Sequence, residues 1–351
     1  MKWCCSGLAA AAFGLVGCNS ESGSGGDSSV QISIVGSSTV YPFSSYVAEE
    51  FGETSDFSAP KVESTGSGGG QKLFYAGVGL DTPSITNSSR RMKSSEFEEN
   101  LKNGNKEIAE IKIGYDGIAI CQNKDNAPLN LTLEHITQAV AEKVVVDGEL
   151  VPNPHKKWSD IDSSLPDRDI KVLGPPSTSG TRDAFHELAL HAGAKALGYP
   201  DGADGKEDGK VKYQSVRQDG AWVDSGEDDN LIVQQLSNDK NALGIFGYSF
   251  LAENRDKVSA ATIKGVAPEP SAISSGEYPV SRSLFFYVKM AHLGEVSGLQ
   301  EFVDLFLSEE MIGPDGVLKD RGLIPLPTAD REKLRSDWKA KKLLTASAFE
   351  G

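Results

Sequence analysis

Four times along this chain an apolar, strand-like run breaks off into a loop of Gly, Ser and Thr and resumes with helical spacing of apolar residues. The loops are GSSTVYPF at 36–43, STGSGGG at 64–70, NSSRRM at 87–92 and STSGTRDAF at 177–185. The helix after the third is the least marked. Strand, tight polar turn and helix in repeated succession predict α/β architecture, with helices laid on mostly parallel sheets. The device also has a chemical meaning. Glycine lets backbone approach a ligand closely. The first-turn amides of a helix have no intrahelical acceptor and lie at its positive end. Hydroxyls of Ser and Thr add further donors. One such loop is ordinary, but four in one chain point to a bound anion. Arginines accompany two of them (Arg90 or Arg91, and Arg182), and a guanidinium suits bidentate contact with an oxyanion.

The same alternation continues between the loops. QISIVG (31–36), KVESTG (61–66), IKIGYDGIAICQN (111–123) and DIKVLG (169–174) read as strands. SSYVAEEFGE (44–53), GGQKLFYAGVG (69–79), LTLEHITQAVAE (131–142) and TRDAFHELALHAGA (181–194) read as helices, the last with Phe185, Leu188 and Ala192 on one face. The stretch 193–230 is rich in Gly, Asp and Lys and reads as an exposed insertion. Its spaced aspartates lack the ligand order of a calcium-binding loop.

Charge narrows the ligand. The chain carries 50 Asp and Glu against 35 Lys and Arg, a net charge of −15, and such a surface repels nucleic-acid phosphates. Any anion must therefore be held by a local site. Enzyme signatures are missing: there is no G-x-S-x-G elbow, no Walker loop, and no HExxH among the five histidines. No metal and no cofactor are expected.

The first residues read as an export signal. Lys2 precedes an apolar run, Leu8 to Val16, that is too short to span a bilayer, and Leu15-Val16-Gly17-Cys18 is similar to the bacterial lipoprotein cleavage motif. Residues 1–17 would be removed, Cys18 would carry lipid, and the Gly/Ser-rich 18–29 would tether the remainder to the membrane. The protein is then exported, to the periplasm of a Gram-negative cell or the surface of a Gram-positive one. Of the other cysteines only Cys121 would remain, so no structural disulfide is expected.

Taken in order, GSSTVYPF, STGSGGG, SSRRM, YDGIAI, WSDI with LPDRDIKVLG, SGTRDAF, ALGIFGYSF, YPVSRSLFFYVK and RGLIPLP resemble the phosphate-binding proteins of phosphate-specific ABC transporters. The resemblance covers nearly everything after Val30. It implies a two-lobed periplasmic-binding-protein fold of the second type. Each lobe would be a sheet flanked by helices, the two joined by crossings near 114–118 and 281–285. Lobe I would comprise 30–114 and 285–351, and lobe II 115–284. It further implies a monomer that binds inorganic phosphate between the lobes and passes it to a membrane permease. Ser38, Thr39 and the Val40 amide would form the first set of contacts, and Ser67 and Gly68 the second, either one matching the family's serine. Ser179, Gly180 and Thr181 would form the last. In better-known members an aspartate follows the serine of the third loop, where this chain has Arg90 after Ser89. Those members also carry an arginine where this chain has Pro175. The chain thus resembles a Ser-Arg branch, with Arg90 and Arg182 as guanidinium contacts and Asp116 as acceptor for the ligand's proton, Asp81 being next in line. Other oxyanions (sulfate, molybdate, arsenate), an exported phosphate-ester hydrolase and a surface sensor on the same fold remain as alternatives.

Overall fold

The computed structural model describes residues 30–177, 179–199, 215–226 and 229–349. The signal, the tether and Cys18 lie outside the described residues, as does the aspartate-rich segment 200–214. Along the chain the strands are β1 (Ser33–Gly36), β2 (Lys61–Ser64), β3 (Ile85–Ser88), β4 (Ile108–Asn123), β5 (Asn130–Leu131), β6 (Lys143–Val146) and β7 (Glu149–Pro152). They continue with β8 (Val172–Gly174), β9 (Trp222–Asp224), β10 (Leu243–Gly247), β11 (Val258–Ala260), β12 (Thr262–Ile263) and β13 (Ser281–Lys289). One mixed sheet runs β2-β1-β3-β13-β4-β10-β8-β9, with β11 also on β4. The strands that end in Gly/Ser/Thr loops pair in parallel: β1 with β2 and β3, and β8 with β10 and β9. Antiparallel pairing is found in the β6–β7 hairpin, where β11 joins β4, and between β4 and β13, which also run antiparallel to β10 and β3 respectively.

Those two strands position everything else. β4 is rich in β-branched residues (Ile108, Ile111, Ile113, Ile118, Ile120), all buried, as suits a strand covered on both faces. Its first part pairs with β13, and its last residues pair with β10 and β11. On one side of the crossing lies a core of Ile34, Val47, Phe51, Ile111, Phe286, Phe302 and Phe306. On the other lies a second core of Ile118, Ile120, Trp158, Val172, Phe185, Ile245 and Tyr278. Each fully buried phenylalanine contributes ~1.5–3 kcal/mol, so each half has its own hydrophobic support. The opposite sheet faces are covered too, by Phe74, Phe97 and Tyr287 in the first half and by Ile232, Leu236 and Phe246 in the second. This is the mixed α/β fold expected, with both halves joined through β4 and β13. No helix of the described residues is long and apolar enough to cross a membrane.

One local expectation holds and two change. The doubtful helix after the third loop is present, Ser94–Lys102, its first turn closed by Glu96, which accepts from the Lys93 amide. The helix after the fourth loop begins at Gly180–Phe185 and passes through a π-helical stretch, His186–His191. The wider turn buries Ala189 and Leu190 beside Phe185, while Leu188 and Ala192 of the expected face pack partly buried against the same core. Part of 193–230 is also core rather than surface: Trp222 and Arg217 are 5% and 2% exposed. Trp222 stacks on Phe185, and Arg217 donates to the carbonyls of Ala139 and His155. The glycines and aspartates around them conceal both in a reading by composition.

Candidate functional site: a polar cluster at the crossing strands

The three loops of the first half converge because their glycines permit it. Gly36 ends β1 at φ +129°, and a Cβ there would lie 2.2 Å from the Asn87 carbonyl. A Cβ on Gly70 would lie 2.4 Å from Gly36 Cα, so the helix Gly66–Phe74 rests directly on the first loop. The Ser89 amide donates to Ser67 Oγ at 3.1 Å, and the two hydroxyls are 3.0 Å apart. Neither the helix Tyr41–Thr54 nor Gly66–Phe74 has a side-chain cap at its N-terminus. In the helix Tyr41–Thr54 the Tyr41 and Phe43 amides already donate to the Ser37 and Val40 carbonyls and Pro42 has no N–H, whereas the first-turn amides of Gly66–Phe74 are of the kind that receives an anion.

The fourth loop comes from the second half and meets the first. Ser179 caps its own helix, its hydroxyl accepting from the Thr181 amide at 3.2 Å. Gly180 lies so close to Thr39 that an added Cβ would be 3.0 Å from Thr39 Cα. Thr39 Oγ1 donates to the Gly180 carbonyl at 3.4 Å. Ser38 Oγ donates across the same junction to Asp183 Oδ2 at 2.9 Å.

Arg282 ties the two sides together. It lies on β13 directly opposite Asp116 on β4. Its Nε faces Asp116 Oδ2 at 3.4 Å, and Nη2 donates to Thr39 Oγ1 at 2.6 Å. Nη1 donates to Ser89 Oγ at 3.1 Å and to Glu187 Oε2 at 3.0 Å. Burial pushes the Asp116 carboxyl above the usual range, against the pull of the Arg282 charge. The sequence reading passed over Arg282, although YPVSRSLFFYVK and the 281–285 crossing were both singled out. A cation inside one crossing, set against the aspartate of the other, was the available signal.

The expected guanidinium contacts are elsewhere. Arg90 forms a two-pronged pair with Glu96 at 2.9 and 2.7 Å, which raises its pKa through the Glu96 hydrogen bond. It thereby braces the helix Ser94–Lys102. Arg91 pairs in the same way with Glu110. Arg182 is buried beneath its own loop, donating to the Pro175 carbonyl at 2.7 Å, to Asp224 at 2.9 Å and to His186 at 2.6 Å. Its guanidinium lies 4.3 Å from the centre of the Trp222 ring. Burial raises the Asp224 carboxyl, but hydrogen bonds from Trp222 and Arg182 outweigh it and hold the group below the usual range. The structure thus gathers Ser38, Thr39, Ser67, Ser89, Gly180 and Asp116 around Arg282. Val40 caps the first helix with its amide 3.4 Å from Ser37 Oγ, Gly68 is exposed beside Ser67, and Thr181 turns its amide to Ser179.

Comparison with known proteins adds to this geometry. The PBP superfamily domain matches residues 22–310. Protein SphX of Synechococcus elongatus is 30% identical over 312 residues, 86% of this chain and 80% of that protein. The phosphate-binding protein PstS of Staphylococcus haemolyticus is 30% identical over 280 residues, 78% and 76% of the two chains. The crystal structure of a possible phosphate binding protein from Planctomyces limnophilus superposes with a TM-score of 0.71 at 29% identity, covering 89% of this chain and 98% of that one.

Proposed function

The chain belongs to the PBP superfamily and, within it, to the PstS phosphate-binding proteins, and from that premise we propose that it takes one inorganic phosphate into the cluster around Arg282 and delivers it to an ABC transporter. The observation that carries the assignment of the site is the convergence on Arg282 of the Thr39 and Ser89 hydroxyls of the first half, where the Gly180 loop of the second half closes on Thr39. A tetrahedral oxyanion needs donors from several directions. The hydroxyls of Ser38, Thr39, Ser67, Ser89, Ser179 and Thr181 supply them, with backbone amides at Val40, Gly68 and Gly180 and the guanidinium of Arg282. Arg90 and Arg182 then act at one remove, bracing the third and fourth loops. Binding between halves joined by two strands couples capture to closure, and a closed complex is what a membrane permease can recognise. The family is one of solute-binding proteins, and the proposed role is capture without turnover. Export and attachment through lipid on Cys18 complete the proposal, placing the protein beside the membrane it serves.

Titration calorimetry against phosphate, arsenate, sulfate and molybdate tests it, with Arg282→Gln as the key variant. Truncating one side of a buried charge contact typically costs ~2–5 kcal/mol. The variant should therefore lose phosphate affinity by at least about thirtyfold. Tighter binding of sulfate or molybdate than phosphate, or wild-type affinity in the variant, would refute the reading.

A further inference from the structure

Two carboxylates of the second half already sit on donors assigned to the anion. Asp183 and Glu187 are four residues apart on one helix, a spacing that puts both on the same face. Asp183 Oδ2 accepts from Ser38 Oγ at 2.9 Å, and Glu187 Oε2 accepts from Arg282 Nη1 at 3.0 Å. With Asp116 opposite, Arg282 carries two carboxylates, and Asp183 stands on Ser38 in the neighbouring loop. We propose that Glu187 is a built-in competitor for the anion, occupying Arg282 until phosphate displaces it and so setting the affinity of the site. This inference rests on the reading of Arg282 as a phosphate contact.

The asymmetry between the partners gives the direction of exchange. The Arg282 side chain is 7% exposed, fixed by Asp116 across the sheet and by Thr39 and Ser89. It cannot withdraw without unpairing buried groups. Asp116 is held by its place in β4, with its side chain 17% exposed. The Glu187 side chain is 54% exposed and hangs from the π-helical stretch on the far side of the junction. Released from Arg282, it rotates into water, where a carboxylate is well solvated. An exposed pair of this kind is weak. A phosphate dianion offers Arg282 a stronger, charge-assisted contact. It cannot share the guanidinium with Glu187 without like-charge repulsion at short range. The carboxylate therefore acts as a stand-in for the ligand, lowering affinity by the strength of the contact that must be broken.

Glu187→Gln isolates this effect, because the amide keeps the shape and removes the charge. At an exposed position it should not disturb folding. Calorimetry should show phosphate bound about two- to fivefold more tightly than by wild type. Stopped-flow mixing should place most of the gain in faster association. If Glu187 instead latches the two halves around bound phosphate, Glu187→Gln will bind more weakly, and that result or an unchanged affinity overturns the proposal. Arg282→Gln separates the failures. Loss of binding in the Arg282 variant, beside no tightening in the Glu187 variant, overturns competition alone. Wild-type affinity in the Arg282 variant overturns both the site and the competition.

Discussion

Arg282 and Asp116 are separated by 166 residues and yet face each other across two strands, and only the register of β4 against β13 makes them a pair. That is why the aspartate could be singled out from the YDG sequence while its partner could not. Arginines near a glycine loop in sequence, Arg90 and Arg182, were the obvious alternatives. Their long side chains carry the charge away from the loop, to Glu96 and to Asp224. The pairing gives Asp116 a partner other than the ligand's proton, whose acceptor the resemblance implies it to be. Asp116 lies behind Arg282 and orients it, whereas Asp183 faces a loop hydroxyl, on Ser38. Near neutral pH phosphate keeps a proton and sulfate has none. An ionised carboxylate only accepts, so it welcomes the first and repels the second. Asp183→Asn should therefore relax the rejection of sulfate, while Asp116→Asn should weaken all oxyanions together by loosening Arg282. Competition binding with phosphate and sulfate checks both. Relaxed sulfate rejection in the Asp116 variant alone would return proton reading to Asp116.

At the scale of elements, the loops were legible because turn chemistry is local. Gly36 must be glycine where β1 meets β3, and the sequence shows a glycine at the end of an apolar strand. The π-helical stretch was not legible, since it depends on how Phe185, Ala189 and Leu190 pack into the second core rather than on spacing. The same holds for 215–226, where Trp222 is drawn in by Phe185 and Arg182. These contacts make Arg182 a support of the fourth loop. Arg182→Met removes bonds to Pro175, Asp224 and His186 and leaves the half-exposed Asp224 carboxylate with its Trp222 contact. The loss should be about 2–3 kcal/mol, discounted for the water that reaches Asp224. A thermal melt should show a midpoint several degrees lower, with phosphate affinity reduced less than in Arg282→Gln. A wild-type melting temperature together with abolished binding would instead make Arg182 a direct contact of the anion.

Over the whole molecule, the order of the loops could be read from the chain because each half repeats the same strand-loop-helix logic. What could not be read is the balance of charge at their junction. The chain as a whole carries −15, and the cluster sets Asp116 and Glu187 on Arg282 and Asp183 on Ser38. A phosphate dianion thus approaches against the field of the protein and is favoured only on contact. The two stages respond differently to salt. The long-range repulsion acts through solvent, and the screening length falls from ~30 Å at 0.01 M to ~10 Å at 0.1 M ionic strength. The proposed contact with Arg282, whose side chain is 7% exposed, is largely beyond the reach of screening ions. Raising sodium chloride between those concentrations should speed phosphate association severalfold, the reverse of electrostatic steering, and leave dissociation nearly unchanged. Stopped-flow binding across a chloride series measures both rates. Association that slows as salt is added would mean that Arg282 and the helix N-termini dominate the field an incoming anion meets, despite the acidic surface around them.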